Sequence, residues 1–340
     1  MNGKRWAALG IAAVIFVFSV FFNFATNLAS KNFSAFSDEL LKTPNEDYIE
    51  NVLIEGTGTD KILVLSVNGV IQDTGNVTSF FETAGYNHQA FLKMIKKAEE
   101  DKTVKGIILK VNSPGGGVVE SAEIHKKLTD LKEATEKPIY VSMGAMAASG
   151  GYYISAPADK IFATPDTMTG SLGVIMQGIN YSELAEKYGV KFETIKSGPY
   201  KDIMSSSREM TDEERQIMQT MVDNAYQGFV DVIAQGRNMS ESEVRKIADG
   251  RIYDGRQAKE NQLIDELGYF EDTVEAMKKD YNLEDSKVVE YSTHFGFGSL
   301  FSMSAKKIFS DDLEMATLVH LLSQPNSPRM MYLYAQAGGN

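Results

Sequence analysis

The chain has 340 residues, 43% of them hydrophobic and 24% charged, with four histidines, no cysteine and a formal net charge of −12. This composition supports a sizeable core and excludes global disorder. The acidic balance excludes nucleic acid as the partner, because phosphate binding needs a basic surface, and the missing cysteines exclude disulfides, thiol catalysis and thiolate metal sites.

In chain order the first signal is apolar. Residues 6–28 carry no charge and at ~1.5 Å per residue would span about 35 Å as a helix, enough for a bilayer core. Lys4 and Arg5 precede this stretch, so residues 1–5 are expected to be cytoplasmic and the bulk of the chain extracytoplasmic, in a single-pass protein of the cell membrane. Asn23 and Asn27 occupy the places where a small-x-small cleavage site would fall, which favours an uncleaved anchor over a removed signal peptide. Residues 29–57 lack a sustained period and read as a juxtamembrane stalk.

A compact domain is expected over residues 58–294. KILVLSVNGVI (61–71), KGIILKVNS (105–113), PIYVSMG (138–144) and KIFATP (160–165) are short β-rich runs, and helical patterns at 89–101, at 120–134 and from Ser149 onward separate them. That alternation predicts an α/β fold of parallel strands with crossover helices. Beyond Val190 the pattern is mostly helical. Thr211 and Glu214 stand at capping-box spacing, and Ile217, Met221, Tyr226, Phe229 and Ile233 then form one broad apolar face of a long helix. Shorter helices are expected at 243–249 and 256–262, followed by an extension over 295–340.

Two glycine-rich stretches carry the chemistry. In VNSPGGGVVE the glycines Gly115, Gly116 and Gly117 end a strand and lead directly into a helix. Such a turn presents free N–H groups to an anion. A phosphate loop is not the match, since no Lys-Ser/Thr follows the glycines. In GAMAASGGYYIS, at the end of the next strand, small residues surround the hydroxyl of Ser149 and let another backbone approach it. Parallel strands bring their C-terminal ends to one edge, so Gly116 and Ser149 can be neighbours. The base is less evident. His88 reads as part of a polar loop, His125 lies on a helix among lysines, and His294 and His320 fall in the less regular C-terminal part. Lys196 and Lys201, in ETIKSGPYKD after a strand-like run, are the other option, provided that burial keeps the amine neutral.

MAASGGYYIS, TGSLGV (169–174), SGPYKD (197–202) and GRIYDGRQAKENQLIDELG (250–268) together resemble the signal peptide peptidase A family of serine-lysine membrane proteases. The resemblance covers roughly residues 58–294 and implies the spiral core shared by the Clp protease and the crotonases. It implies Ser149 as nucleophile, Lys201 as general base, Ser171 as hydrogen-bond partner of the lysine amine, and the Gly116 and Gly150 amides as oxyanion hole. It further implies remnant signal peptides as substrates, a ring-shaped homo-oligomer, and no metal or cofactor. Asp202, next to Lys201, is expected to bond elsewhere, since a paired carboxylate would keep the lysine charged. Two rival readings of the same core are an acyl-CoA enzyme, with the glycine amides serving a thioester, and a non-catalytic membrane scaffold. In the tail, an apolar run precedes Ala335-Gln336-Ala337, a small-x-small pattern that makes this segment a candidate substrate of its own enzyme.

Overall fold

A computed structural model describes residues 15–16, 48–73, 86–292 and 330–333. Two units are distinguished, Met1–Asp47 and Tyr48–Asn340. In the first, Ile15 and Phe16 are helical and the rest of the expected anchor lies outside the described residues. Among the described residues, no helix is long and apolar enough to cross a membrane.

The second unit opens with β1 (Ile49–Ile54), β2 (Lys61–Asn68), α1 (His88–Glu100), β3 (Val104–Ser113), β4 (Gly115–Gly117), α2 (Val118–Thr135), β5 (Ile139–Ala148) and α3 (Gly150–Ser155). There follow β6 (Lys160–Ala163), β7 (Met168–Gly170), β8 (Ile175–Met176), α4 (Ser182–Lys187), α5 (Asp212–Arg237) and α6 (Glu241–Ile247). The described chain closes with β9 (Ile252–Tyr253), α7 (Gly255–Glu260), β10 (Glu266–Leu267), α8 (Phe270–Tyr281), β11 (Lys287–Ser292) and β12 (Met330–Leu333).

The main sheet has the order β1-β11-β2-β3-β5-β6-β10, and the pairs from β11 through to β10 are all parallel. Its central strands are apolar without alternation because both faces are covered. Leu63, Leu65 and Leu109 pack under α1, α2, α3 and α5, whereas Ile62, Val64 and Ile108 pack under Val274 and Met277 of α8. The α/β expectation is therefore met. One boundary differs: Ile49–Ile54, read as stalk, is an edge strand antiparallel to β11. Its alternation was hidden because an edge strand beside solvent buries little, and five of these six residues are exposed.

Strand β5 changes partner along its length. Tyr140–Met143 pair with β6, but Met146–Ala148 pair with β7, which in turn pairs with β9. This fork lets β5 end beside Gly170 and deliver Ser149 at the sheet's C-terminal edge. A separate three-stranded sheet, β4-β12-β8, lies at the same end, both of its pairings antiparallel.

Helix α5 supports α3 from below the site. Thr211 and Glu214 form the expected capping box, and Asn238 ends the helix in the left-handed region at φ 52°. Only part of its apolar face is covered: Phe229, Val230 and Ile233 are buried, while Ile217 and Met221 are exposed. Gly236 is required by close approach, because a Cβ there would meet the Ala156 carbonyl oxygen at 2.1 Å. Gly236→Ala sets helix propensity, favourable by about 1 kcal/mol, against this clash, which costs about 1–3 kcal/mol. A net fall in unfolding free energy is expected in urea titration.

Candidate active site

The turn from β5 into α3 holds Ser149 at φ 53°, ψ −115°, a conformation that L residues rarely adopt and that costs about 1–3 kcal/mol. Neighbours enforce it. The Ser149 N–H donates to the Gly170 carbonyl at 2.8 Å, and the Ser149 carbonyl accepts from the Tyr153 N–H at 2.9 Å. The run of small residues follows from crowding: a Cβ at Gly151 would sit 2.9 Å from the Ser113 carbonyl oxygen. Farther along α3, the Tyr152 hydroxyl donates to the Leu263 carbonyl at 2.8 Å and fixes the helix. Ser149 is 1% exposed, and its Oγ has no hydrogen-bond partner among the described residues.

Two backbone amides face the same place. Ile71 N–H donates to Gly115 O and Gly117 N–H donates to Ile71 O, each at 2.8 Å, which turns the peptide groups of Gly116 to the opposite side, toward β12. The Gly150 N–H opens α3 and so has no acceptor within the helix. A Cβ at Gly150 would lie 3.1 Å from the Gly116 nitrogen, and one at Gly115 would lie 2.6 Å from the Gly150 nitrogen. Gly116, Ser149 and Gly150, expected as neighbours, do meet.

The chain's own strand β12 occupies this cleft. Tyr332 pairs with Gly116, while Met330 and Met331 pair with Met176 and Ile175. The Tyr332 carbonyl oxygen lies 2.0 Å from a Cβ position at Gly115 and 3.1 Å from that at Gly150, so the strand's backbone runs close against both glycines. Its ring is stacked on Tyr153 with centroids 4.9 Å apart, lies 4.6 Å from Phe229, and its hydroxyl donates to the Ala225 carbonyl at 3.0 Å. Burial pushes the Tyr332 phenol pKa up. From the sequence the tail reads as a candidate substrate, with no strand placed in it; the apolar run MMYL was the available signal.

Ser171 follows β7 directly at φ 50°, its N–H donating to the Arg251 carbonyl at 2.7 Å. Since β7 pairs Gly170 with Ala148, Ser171 comes to the end of β5 beside Ser149. Lys201 is not joined to them: its side chain is exposed and makes no hydrogen bond among the described residues. The preceding segment is irregular rather than a strand. Lys196 is occupied, donating to the Pro199 carbonyl at 2.9 Å and to Asp202 at 2.6 Å. Asp202 bonds away from Lys201, accepting from Lys196 and from Arg208 at 2.7 and 2.9 Å. Arg208 also donates to Glu214 at 2.8 Å. His88 is not in a loop but opens α1 buried, with its ring nitrogens 2.7 Å from Tyr86 Oη and from Glu123. His125 packs edge-on to Tyr153. Among the described residues, no cluster of metal-ligating side chains is present.

The family model for peptidase family S49 matches residues 132–284. Across 347 aligned positions the chain is 44% identical to "Putative signal peptide peptidase SppA" of Enterococcus faecium, covering 98% of this chain and 99% of that protein. It is 31% identical to Protease 4 of Haemophilus influenzae over 89% of this chain and 50% of that one. It is also 31% identical to the chloroplastic serine protease SPPA of Arabidopsis thaliana, over 68% of this chain and 34% of that one. A strained serine beside a glycine turn at a sheet edge, together with these likenesses, defines a serine peptidase. The chain belongs to peptidase family S49, the signal peptide peptidase A family.

The turn that carries Lys201 depends on charge. Hydrogen bonds from Arg208, then from Lys196, hold the Asp202 carboxyl well below its usual range, and Arg208 with the Thr211 N–H lowers Glu214 to about 2. Depressed carboxyl pKa values mean that this support is present above the unfolded value near 4.5 and is lost as pH falls through about 2. Protection of the Ile203 and Ser205 amides, corrected for intrinsic exchange, is expected to stay level from pH 7 to about 5 and to collapse toward pH 2. In Arg208→Ala the same loss is expected at pH 7.

Proposed function

We propose that the chain is a membrane-anchored endopeptidase that cuts extended apolar peptides, remnant signal peptides among them, at the outer face of the cytoplasmic membrane. The observation that carries this reading is β12, an extended segment paired on both sides, with Tyr332 opposite Gly116 and its carbonyl oxygen 3.1 Å from a Cβ position at Gly150. A substrate would add itself as a strand in the same way, with backbone pairing for affinity and an aromatic-lined pocket for an apolar side chain. Its tail is then a substrate of its own enzyme. The core is assigned to the Clp protease/crotonase-like spiral, and residues 6–28 to the anchor in the lipid bilayer.

In the mechanism, neutral Lys201 takes the proton of Ser149 Oγ, which attacks the peptide carbonyl. The two amides stabilise the oxyanion, and the lysine ammonium returns the proton to the leaving amine; water then repeats the sequence on the acyl-enzyme. Ser171 orients the amine without adding charge. Among the described residues of one chain the lysine stands free and the hydroxyl has no partner, so Lys201 is supplied by a neighbouring copy in a ring. The exposed apolar residues Ile175, Ile179, Leu184, Phe192 and Ile195 on the lysine-bearing segment support that contact. Docking on a second copy would also take the amine out of water.

A fluorophosphonate probe read by intact mass tests the reading. Wild type is expected to gain one adduct and to have a shortened tail; Ser149→Ala is expected to gain none and to stay full length, and Lys201→Ala to label at least a hundredfold more slowly. Equal labelling of wild type and Ser149→Ala would exclude this serine as nucleophile.

A further inference from the structure

We propose that the Ser121 hydroxyl is a third hydrogen-bond donor to the substrate oxyanion, a role that rests on the peptidase reading above. Among the described residues, two buried side-chain polar atoms lack a partner: Ser149 Oγ and Ser121 Oγ. A buried hydroxyl left unpaired is costly and calls for a reason. For Ser149 the reason is its reaction. Ser121 is fully buried, on the first turn and a half of α2, the helix that Gly115–Gly117 lead into.

An easy partner was within reach and is not used. Helical hydroxyls ordinarily bond the carbonyl four residues back, as Thr129 does to His125 at 2.9 Å, Thr135 to Leu131 at 2.7 Å and Ser155 to Gly151 at 2.7 Å. Ser121 has Gly117 in the same relation and makes no such bond. Its oxygen instead lies against the turn of the site: the Cβ position of Gly150 is 2.6 Å from Ser121 Oγ, 3.1 Å from the Gly116 nitrogen and 3.1 Å from the Tyr332 carbonyl oxygen. Three polar groups thus surround one point where the chain has no side chain.

With a planar carbonyl in the cleft, that of Tyr332, the hydroxyl is unpaired. When Ser149 Oγ bonds to the carbonyl carbon, the π pair moves onto oxygen and the oxygen leaves the amide plane, and Ser121 O–H then donates to it while keeping its proton. A donor idle in the ground state and engaged in the tetrahedral state contributes to kcat rather than to substrate binding.

Steady-state kinetics on an apolar peptide, inhibition by a peptide boronate and thermal unfolding of the full chain test this. Ser121→Ala is expected to lower kcat by roughly 10- to 100-fold with KM within twofold, and to weaken boronate inhibition by a similar factor. Its melting temperature should be unchanged or higher, since an unpaired polar atom is removed. If the alanine variant does not fold, Ser121→Cys, which fills the space with a poor donor, is expected to show the same kcat loss. Full kcat in either folded variant, beside active wild type and inactive Ser149→Ala, would overturn the role of Ser121 alone. Activity surviving in Ser149→Ala would overturn the peptidase reading with it.

Discussion

The site depends on one backbone constraint, the positive φ of Ser149 where β5 becomes α3. It lifts the hydroxyl off the sheet edge and frees the Gly150 N–H at the start of a helix, so the proposed nucleophile and oxyanion donor come from one turn. That strain persists only because the surroundings over-determine it. Gly170 anchors the Ser149 amide, the Tyr152 hydroxyl anchors the helix, and α5 bears on Ala156 through the gap left at Gly236. Gly151 marks a place where another backbone, that of Ser113, must approach.

Much of this was legible in the sequence because the central strands are local in their signal. Ile62–Leu65 and Ile107–Leu109 are apolar without a break since both sheet faces are covered, and the glycine turns stand where their strands end. Edge elements were less visible. Ile49–Ile54 gains order from a partner more than two hundred residues away, and His88 is buried by a contact with Glu123 on another helix, which no local pattern encodes. The same holds for the cleft. Gly116 and Ser149 could be placed together from parallel topology, whereas Ser121 is recognised only by a bond it fails to make.

Neighbouring carboxylates are kept off Lys201. Asp202 and Glu214 are absorbed by Arg208, and Asp202 also takes up Lys196, so of the two candidate lysines only Lys201 remains unengaged among the described residues. A carboxylate paired with Lys201 would stabilise the ammonium and remove the proposed base. The arrangement therefore leaves a lysine at the surface of one copy and an empty-handed serine in the cleft of the same copy. Assembly would join them, and a lone chain would hold its tail without cutting it.

Complementation between inactive subunits tests this directly. Ser149→Ala and Lys201→Ala chains, each inactive alone, are co-assembled and assayed on an apolar peptide. The account predicts that activity returns, on the order of a tenth or more of wild type, because some contacts then pair an intact serine with an intact lysine. Mixed assemblies shown by mass to hold both chains yet without activity would contradict supply of the base across the subunit contact.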